Sequence, residues 1–203
     1  MRNLKLTINE LKTQKDALKR FERYLPTLIL KKQNVQIELF RIKRTLQERL
    51  DQERRLMQEM DQWIAVLGED AGIGEMIKVD AVEREETNVA GVDIPHLKRV
   101  RFEEIPYDFY TTPLWFDRAV TEIKGILTVQ LEIRVLREQV SRLEEELRIT
   151  TQRVNLFEKV KIPETRENIR VIQIFLGDQQ TAAVVRGKIS KEKTRRKAEM
   201  GTA

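Results

Sequence analysis

Residues 152–176 read QRVNLFEKVKIPETRENIRVIQIFL. Both sides of Pro163 carry a helical pattern. A proline inside a helix removes a backbone donor and clashes with the preceding turn, at a cost of about 3 kcal/mol. Upstream, apolar residues recur at every seventh position: Ala119, Ile126, Ile133, Val140, Leu147 and Val154, with Val129, Leu136, Leu143 and Phe157 as a companion series. From the residue before the proline the pattern resumes one residue out of phase, at Ile162, Ile169, Leu176 and Ala183, with Ile172 beside them. Interleaved series of this kind form the seam of a coiled coil. A helix with so long an apolar stripe needs a partner.

The N-terminal third supplies one. Sevenths from Leu4 give Leu11, Leu18, Leu25, Lys32, Leu39, Leu46, Glu53, Met60 and Leu67. A second series runs Phe21, Leu28, Val35, Ile42, Arg49, Leu56 and Trp63. Thr7 and Glu10 have capping-box spacing, which puts the helix start near Thr7. The second helix is expected to open at Thr112-Pro113, an N-cap residue before a proline at the first helical position, and to stop near Gly187. Two stripes of similar length in one chain bury each other most economically as an antiparallel pair. If Leu67 lies near Ala119, residue 26 falls opposite residue 160, so Pro26 and Pro163 come within about one turn of each other. Paired kinks at one level would bend the pair without shearing its helices apart.

Residues 68–113 read differently, with four of the eight glycines and three of the five prolines. Short β-prone runs, MIKVDAV, TNVAGVDI and LKRVRFEEI, are divided by turn residues and suggest a hairpin of two or three strands. The expected fold is therefore mainly α: a long antiparallel two-helix coiled coil of the N- and C-terminal helices, with a small glycine- and proline-rich head containing a short β-hairpin. The expected divisions are 1–67, the N-terminal coiled-coil helix; 68–113, the head; 114–187, the C-terminal coiled-coil helix kinked at Pro163; and 188–203, a basic, disordered tail. Tyr107, Phe109, Tyr110, Trp115 and Phe116 cluster where the head meets the second helix. They either pack the junction with Trp63 or form a docking patch.

Composition narrows the function. Of the 203 residues 35% are charged and 6% aromatic, which suits long solvated helices. There is no cysteine, so disulfides and thiolate metal sites are excluded and a reducing, cytosolic compartment is the easier fit. No apolar run reaches the roughly 20 residues of a membrane span, and MRNLKLTINELK has no signal-peptide core. The net charge of +5 comes from the tail, because RGKISKEKTRRK (Arg186 to Lys197) holds seven basic residues and one acidic. No basic face along the body points to nucleic acid. The single histidine, His96, follows Pro95 in an expected turn and cannot assemble a Ser/His/Asp or Cys/His set. GEDAGIGEM lacks the lysine-serine ending of a phosphate loop. A catalytic role and a resident cofactor are not expected.

Two segments resemble the D subunit, the central-stalk axle, of the V-type and archaeal A-type rotary ATPases. RVNLFEKVKIPETRENIRVIQ is similar to the family's C-terminal segment, where an asparagine-leucine-lysine-like run precedes an isoleucine-proline and a second helix. ETNVAGVDIPHLKRVRF is similar to its middle segment, with the asparagine, Gly-Val and Ile-Pro. The first helix departs, with LKKQNVQIEL where members carry a Lys-Arg-Asp-Leu-like run, which points to a divergent bacterial branch. The resemblance implies a non-catalytic central shaft, peripheral to the membrane and on its cytoplasmic side. Its partners would be a hexamer of catalytic and regulatory subunits, the small F subunit of the stalk and a funnel-shaped subunit joined to the membrane ring. In that setting Lys188, Lys191, Lys193, Arg195, Arg196 and Lys197 would enter the hexamer bore as an electrostatic bearing. A prefoldin-like chaperone also has two helices joined by a hairpin, but it requires apolar residues at free tips that are basic here. A nucleic-acid-binding hairpin requires basic residues along both helices.

Overall fold

A computed structural model describes residues 4–61, 77–103, 105–106, 113 and 115–200. Helix α1 spans Ile8–Asp61. The strands are β1 (Val79–Val89) and β2 (Val92–Phe102). Helix α2 (Phe116–Asn155) passes through a π-helical turn at Leu156–Lys161 into helix α3 (Ile162–Met200). Mainly helical structure with one antiparallel hairpin is the class the heptads imply.

Local chemistry explains the boundaries. The Glu10 N–H donates to Thr7 Oγ1 at 3.3 Å, and the Leu11 N–H donates to the Thr7 carbonyl at 2.9 Å, so Thr7 caps α1. The second helix starts three residues after Pro113. The Phe116 N–H closes a turn on the Pro113 carbonyl at 3.0 Å, and the Ala119 N–H donates to the Trp115 carbonyl at 3.1 Å. Pro113 therefore precedes α2, and Thr112 lies outside the described residues. Gly187 does not end α3, which continues through the basic run where a disordered tail is expected from sequence. A glycine stops a helix when it turns left-handed, and among the described glycines only Gly91 has positive φ.

The chain divides into two compact units, one running from Lys31 to Thr150 and the other made of the residues on either side. Within the first, the later part of α1 lies antiparallel to α2. Glu53 accepts from Gln130 Nε2 at 2.9 Å, Arg49 pairs with Glu132 at 2.9 Å, and Lys43 pairs with Glu144 at 2.6 Å. Val35, Leu39, Ile94 and Leu143 form the core, with Ile42, Val92, Val140 and Leu147 packed against it.

The hairpin is the third side of that core, not an appendage to the helices. Ile94 and Pro95 are buried. The buried amide of Gln139 donates through Nε2 to the Pro95 carbonyl, and Arg142 Nη1 donates to the Asp93 carbonyl at 2.9 Å. TNVAGVDI holds the turn and is not a strand of its own. Ala90 (φ 53°) and Gly91 (φ 76°) form a two-residue loop with positive φ at both positions, the geometry that matches strand twist. Asn88 braces it, donating to Asp93 Oδ1 at 2.7 Å and accepting from the Gly91 N–H at 3.2 Å. Pro95 and His96 sit inside β2, where they pair with Glu86 and Glu85, and not in the expected turn. A strand of a two-stranded sheet has a free edge, and that tolerates the missing N–H of a proline.

In the other unit the early part of α1 meets the π turn and α3. The rings of Phe21 and Phe157 stack at 5.3 Å, and Glu22 pairs with Arg166 at 2.8 Å. Val154, Ile162, Thr165 and Ile172 are buried.

Leu143 is fully buried where α1, α2 and β2 converge. Replacing it with alanine should cost about 3 kcal/mol, read as a lower urea midpoint by circular dichroism. Phe40→Ala, at a side chain 74% exposed, should change stability by less than about 0.5 kcal/mol in the same assay.

Candidate functional site

The prolines lie in the unit that holds both chain ends. Pro26 shares an apolar groove of about 600 Å³ with Leu25, Ile29 and Leu30 from α1 and with Glu158, Ile162 and Arg166 from the other side. Pro26 and Ile162, the residue before Pro163, therefore line one groove. The structure adds a feature that the heptads signal only indirectly. At Leu156–Lys161 the backbone takes a single wide turn, and the Ile162 N–H donates to the Phe157 carbonyl five residues back. Such a turn inserts one residue into an α-helix. That insertion is the one-residue phase shift between Val154 and Ile162. The next donor in line would be residue 163, and proline has none.

Beyond Leu176, which is half-buried, every side chain described up to Arg196 is exposed. Val184 is 60%, Val185 50% and Ile189 50% exposed, so this arm of α3 carries apolar side chains that nothing among the described residues covers. Lys188, Lys191, Lys193, Arg195 and Arg196 lie on it within the helix, and Arg196 holds Glu192 at 2.8 Å. Lys197 is helical too. The expected bore contacts are thus brought onto one helical segment.

The aromatic cluster is only partly described, because Trp63, Tyr107, Phe109 and Tyr110 lie outside the described residues. Trp115 is half-buried and its ring tilts against Phe116 at 6.2 Å. Phe116 is 1% exposed, so it packs the start of α2 and cannot present a docking face. His96 is exposed on β2. Gln139 and Arg142, which hold the hairpin, carried no sequence signal, because their partners are backbone carbonyls of a distant strand.

Electrostatics on the outer faces is local. Arg148 beside Glu145, and Arg170 beside Glu167, hold those carboxyls below the usual carboxylate range by hydrogen bonds and by charge. Among the described residues no group of three His, Cys, Asp or Glu side chains could hold a metal ion. No described helix is long and apolar enough to cross a membrane.

Comparison with known proteins gives one consistent result. The family model for the D subunit of ATP synthase matches residues 10–192. The V-type ATP synthase D subunit of Borreliella burgdorferi is 44% identical over 191 residues, covering 94% of this chain and 95% of that protein. The corresponding proteins of Chlamydia abortus and Chlamydia muridarum are 35% and 34% identical, each covering at least 94% of both chains.

The lowered carboxyls give a pH expectation with a fixed sign. A depressed folded-state pKa adds stability above the ordinary carboxylate value, and that stability is lost as pH falls through the folded value. Carbon-13 titration of Glu145 and Glu167 should give midpoints below that of an unpaired glutamate. Arg148→Gln should return Glu145 to the ordinary value and leave Glu167 unmoved.

Proposed function

The chain belongs to the ATP synthase D-subunit family, and from that membership we propose that it is the non-catalytic central shaft of a V-type rotary ATPase. It would turn inside a hexamer of catalytic and regulatory subunits, bind the small F subunit of the stalk, and rest on a funnel-shaped subunit joined to the membrane ring. That puts it on the cytoplasmic side, peripheral to the membrane. The observation that carries the reading is the uncovered arm of α3, Gly177–Arg196. An isolated helix of this length is marginal in water, and exposed Val184, Val185 and Ile189 add apolar surface without cover. Such an arm is suited to a seat formed by other chains.

A shaft of this kind acts without touching ATP or the transported ion. It biases conformational equilibria in the collar only through contacts that differ between collar states. The basic run of Lys188, Lys191, Lys193, Arg195, Arg196 and Lys197 supports a bearing role, in which solvated charges attract acidic collar loops without locking onto them. Exposed ion pairs contribute about 0–1 kcal/mol each, weak enough to break at every step.

Co-expression with candidate hexamer and small-stalk subunits, followed by size-exclusion chromatography, tests the shaft. The chain should co-elute with them, and amides of the arm should gain protection from hydrogen exchange. A chain that stays alone under every pairing removes the reading. Changing the six basic residues to glutamine should leave the melting temperature of the isolated chain unchanged and lower the coupling of hydrolysis to rotation. Unchanged assembly and coupling in that variant would remove the bearing role alone.

A further inference from the structure

We propose that the π turn Leu156–Lys161, with Pro26 opposite it, is a built-in joint at which the terminal helix pair bends and twists in preference to its other levels. The proposal goes beyond the shaft reading and does not require it.

Four features meet at this level. First, the buried stripe is out of frame. Val154 and Ile162 are both buried, yet they are one residue further apart than a heptad allows. The surplus residue cannot spread along the helix, because Val154 fixes the frame on one side and Ile162, Thr165 and Ile172 fix it on the other. Second, the backbone ladder is interrupted. Ile162 donates five residues back, Pro163 donates nothing, and across the groove Pro26 interrupts α1 in the same way. Third, Thr165 donates its hydroxyl to the Lys161 carbonyl at 2.6 Å. A threonine bonded to the carbonyl four residues back slightly destabilises a helix and often bends it. Fourth, packing is thin. No residue of the turn is buried, Leu156 is 45% and Val160 49% exposed, and the groove beside Pro26 is open.

Elsewhere in this unit the helices keep their ladders. Here both are interrupted at one height with little side-chain cover, so among the levels at which the two helices pack together the free energy of local opening should be lowest there. The stacked rings of Phe21 and Phe157 still join the two sides, which makes the level a hinge and not a break. In a shaft, a joint here takes up angular mismatch between the terminal pair and whatever grips it.

Hydrogen exchange on the intact, partner-free chain tests this directly. Amides from Phe157 to Arg166 should exchange at least about tenfold faster than those of Gln152–Asn155 and Ile169–Ile172. Equal rates in the three windows would overturn the proposal. A second test removes the surplus residue, by deleting exposed Lys159 together with Pro163→Ala and Pro26→Ala. The stripe then runs in unbroken heptads. This variant should melt several degrees higher and lose the fast window, because both helices regain an unbroken ladder. A variant that melts lower, or keeps the fast window, would show that the frame shift is not the source of the weakness. Both readouts use the isolated chain, so a failure here leaves the shaft reading to be decided by co-elution.

Discussion

A helix as long as α1 cannot keep an apolar stripe in water, and everything else in the chain follows from covering that stripe. Intrinsic propensity contributes little at such length, because most helical stability in proteins comes from burying one face. In the unit spanning Lys31–Thr150 the stripe of α1 is covered by α2 and by Ile94 of β2. In the other unit Phe21 and its neighbours are covered by Phe157 and the start of α3. Where cover ends, at Gly177, the helix continues as an arm whose apolar side chains remain exposed.

Apolar heptads alone do not fix which turn meets which, since sliding one helix by a turn restores most contacts. The polar residues inside the series remove that freedom. Arg49 holds a seam position, and its Nε lies 2.9 Å from Glu132 Oε2, a solvent-shielded atom that is ion-paired there but accepts no hydrogen bond; Arg49 Nη1 donates to Gln52 at 2.7 Å. Glu53, also in the series, accepts from Gln130. A slip by one turn would separate these pairs and leave the shielded Glu132 Oε2 without its cation, a cost that the apolar contacts do not carry. We therefore assign them to register and the leucines to stability.

The heptads carried the helices because the period of buried side chains is a direct imprint of helical geometry, and Thr7–Glu10 fixed the start of α1 for the same reason. The hairpin was legible as composition but misplaced in detail. Ala90 adopts positive φ where asparagine or glycine is the usual residue, so TNVAGVDI looked like a strand when it contains the turn. The docking of the strands on α2 was not legible, because Gln139 and Arg142 bind carbonyls, and every residue has a carbonyl. The phase shift at Pro163 was visible, yet a register change from bending and an inserted residue in one wide turn leave the same trace in sequence. At the basic run, composition argued for disorder while the backbone kept its helix, since exposed Lys, Arg, Glu and Ala are good helix formers.

The arm and the joint belong to one unit, and each makes the other useful. In the proposed shaft, a helix held by a collar would have to follow its seat, whereas a stiff coiled coil would transmit every misalignment along its own seam. Placing the weakest level of the helix pair at Leu156–Lys161 confines its deformation to a turn without buried residues, so bending there exposes little new apolar surface. The same deformation at Ile172, which is fully buried, would open packed side chains to water at roughly 25 cal/mol per Å². Softness is inexpensive only where the seam is already thin, and the two prolines stand at that level.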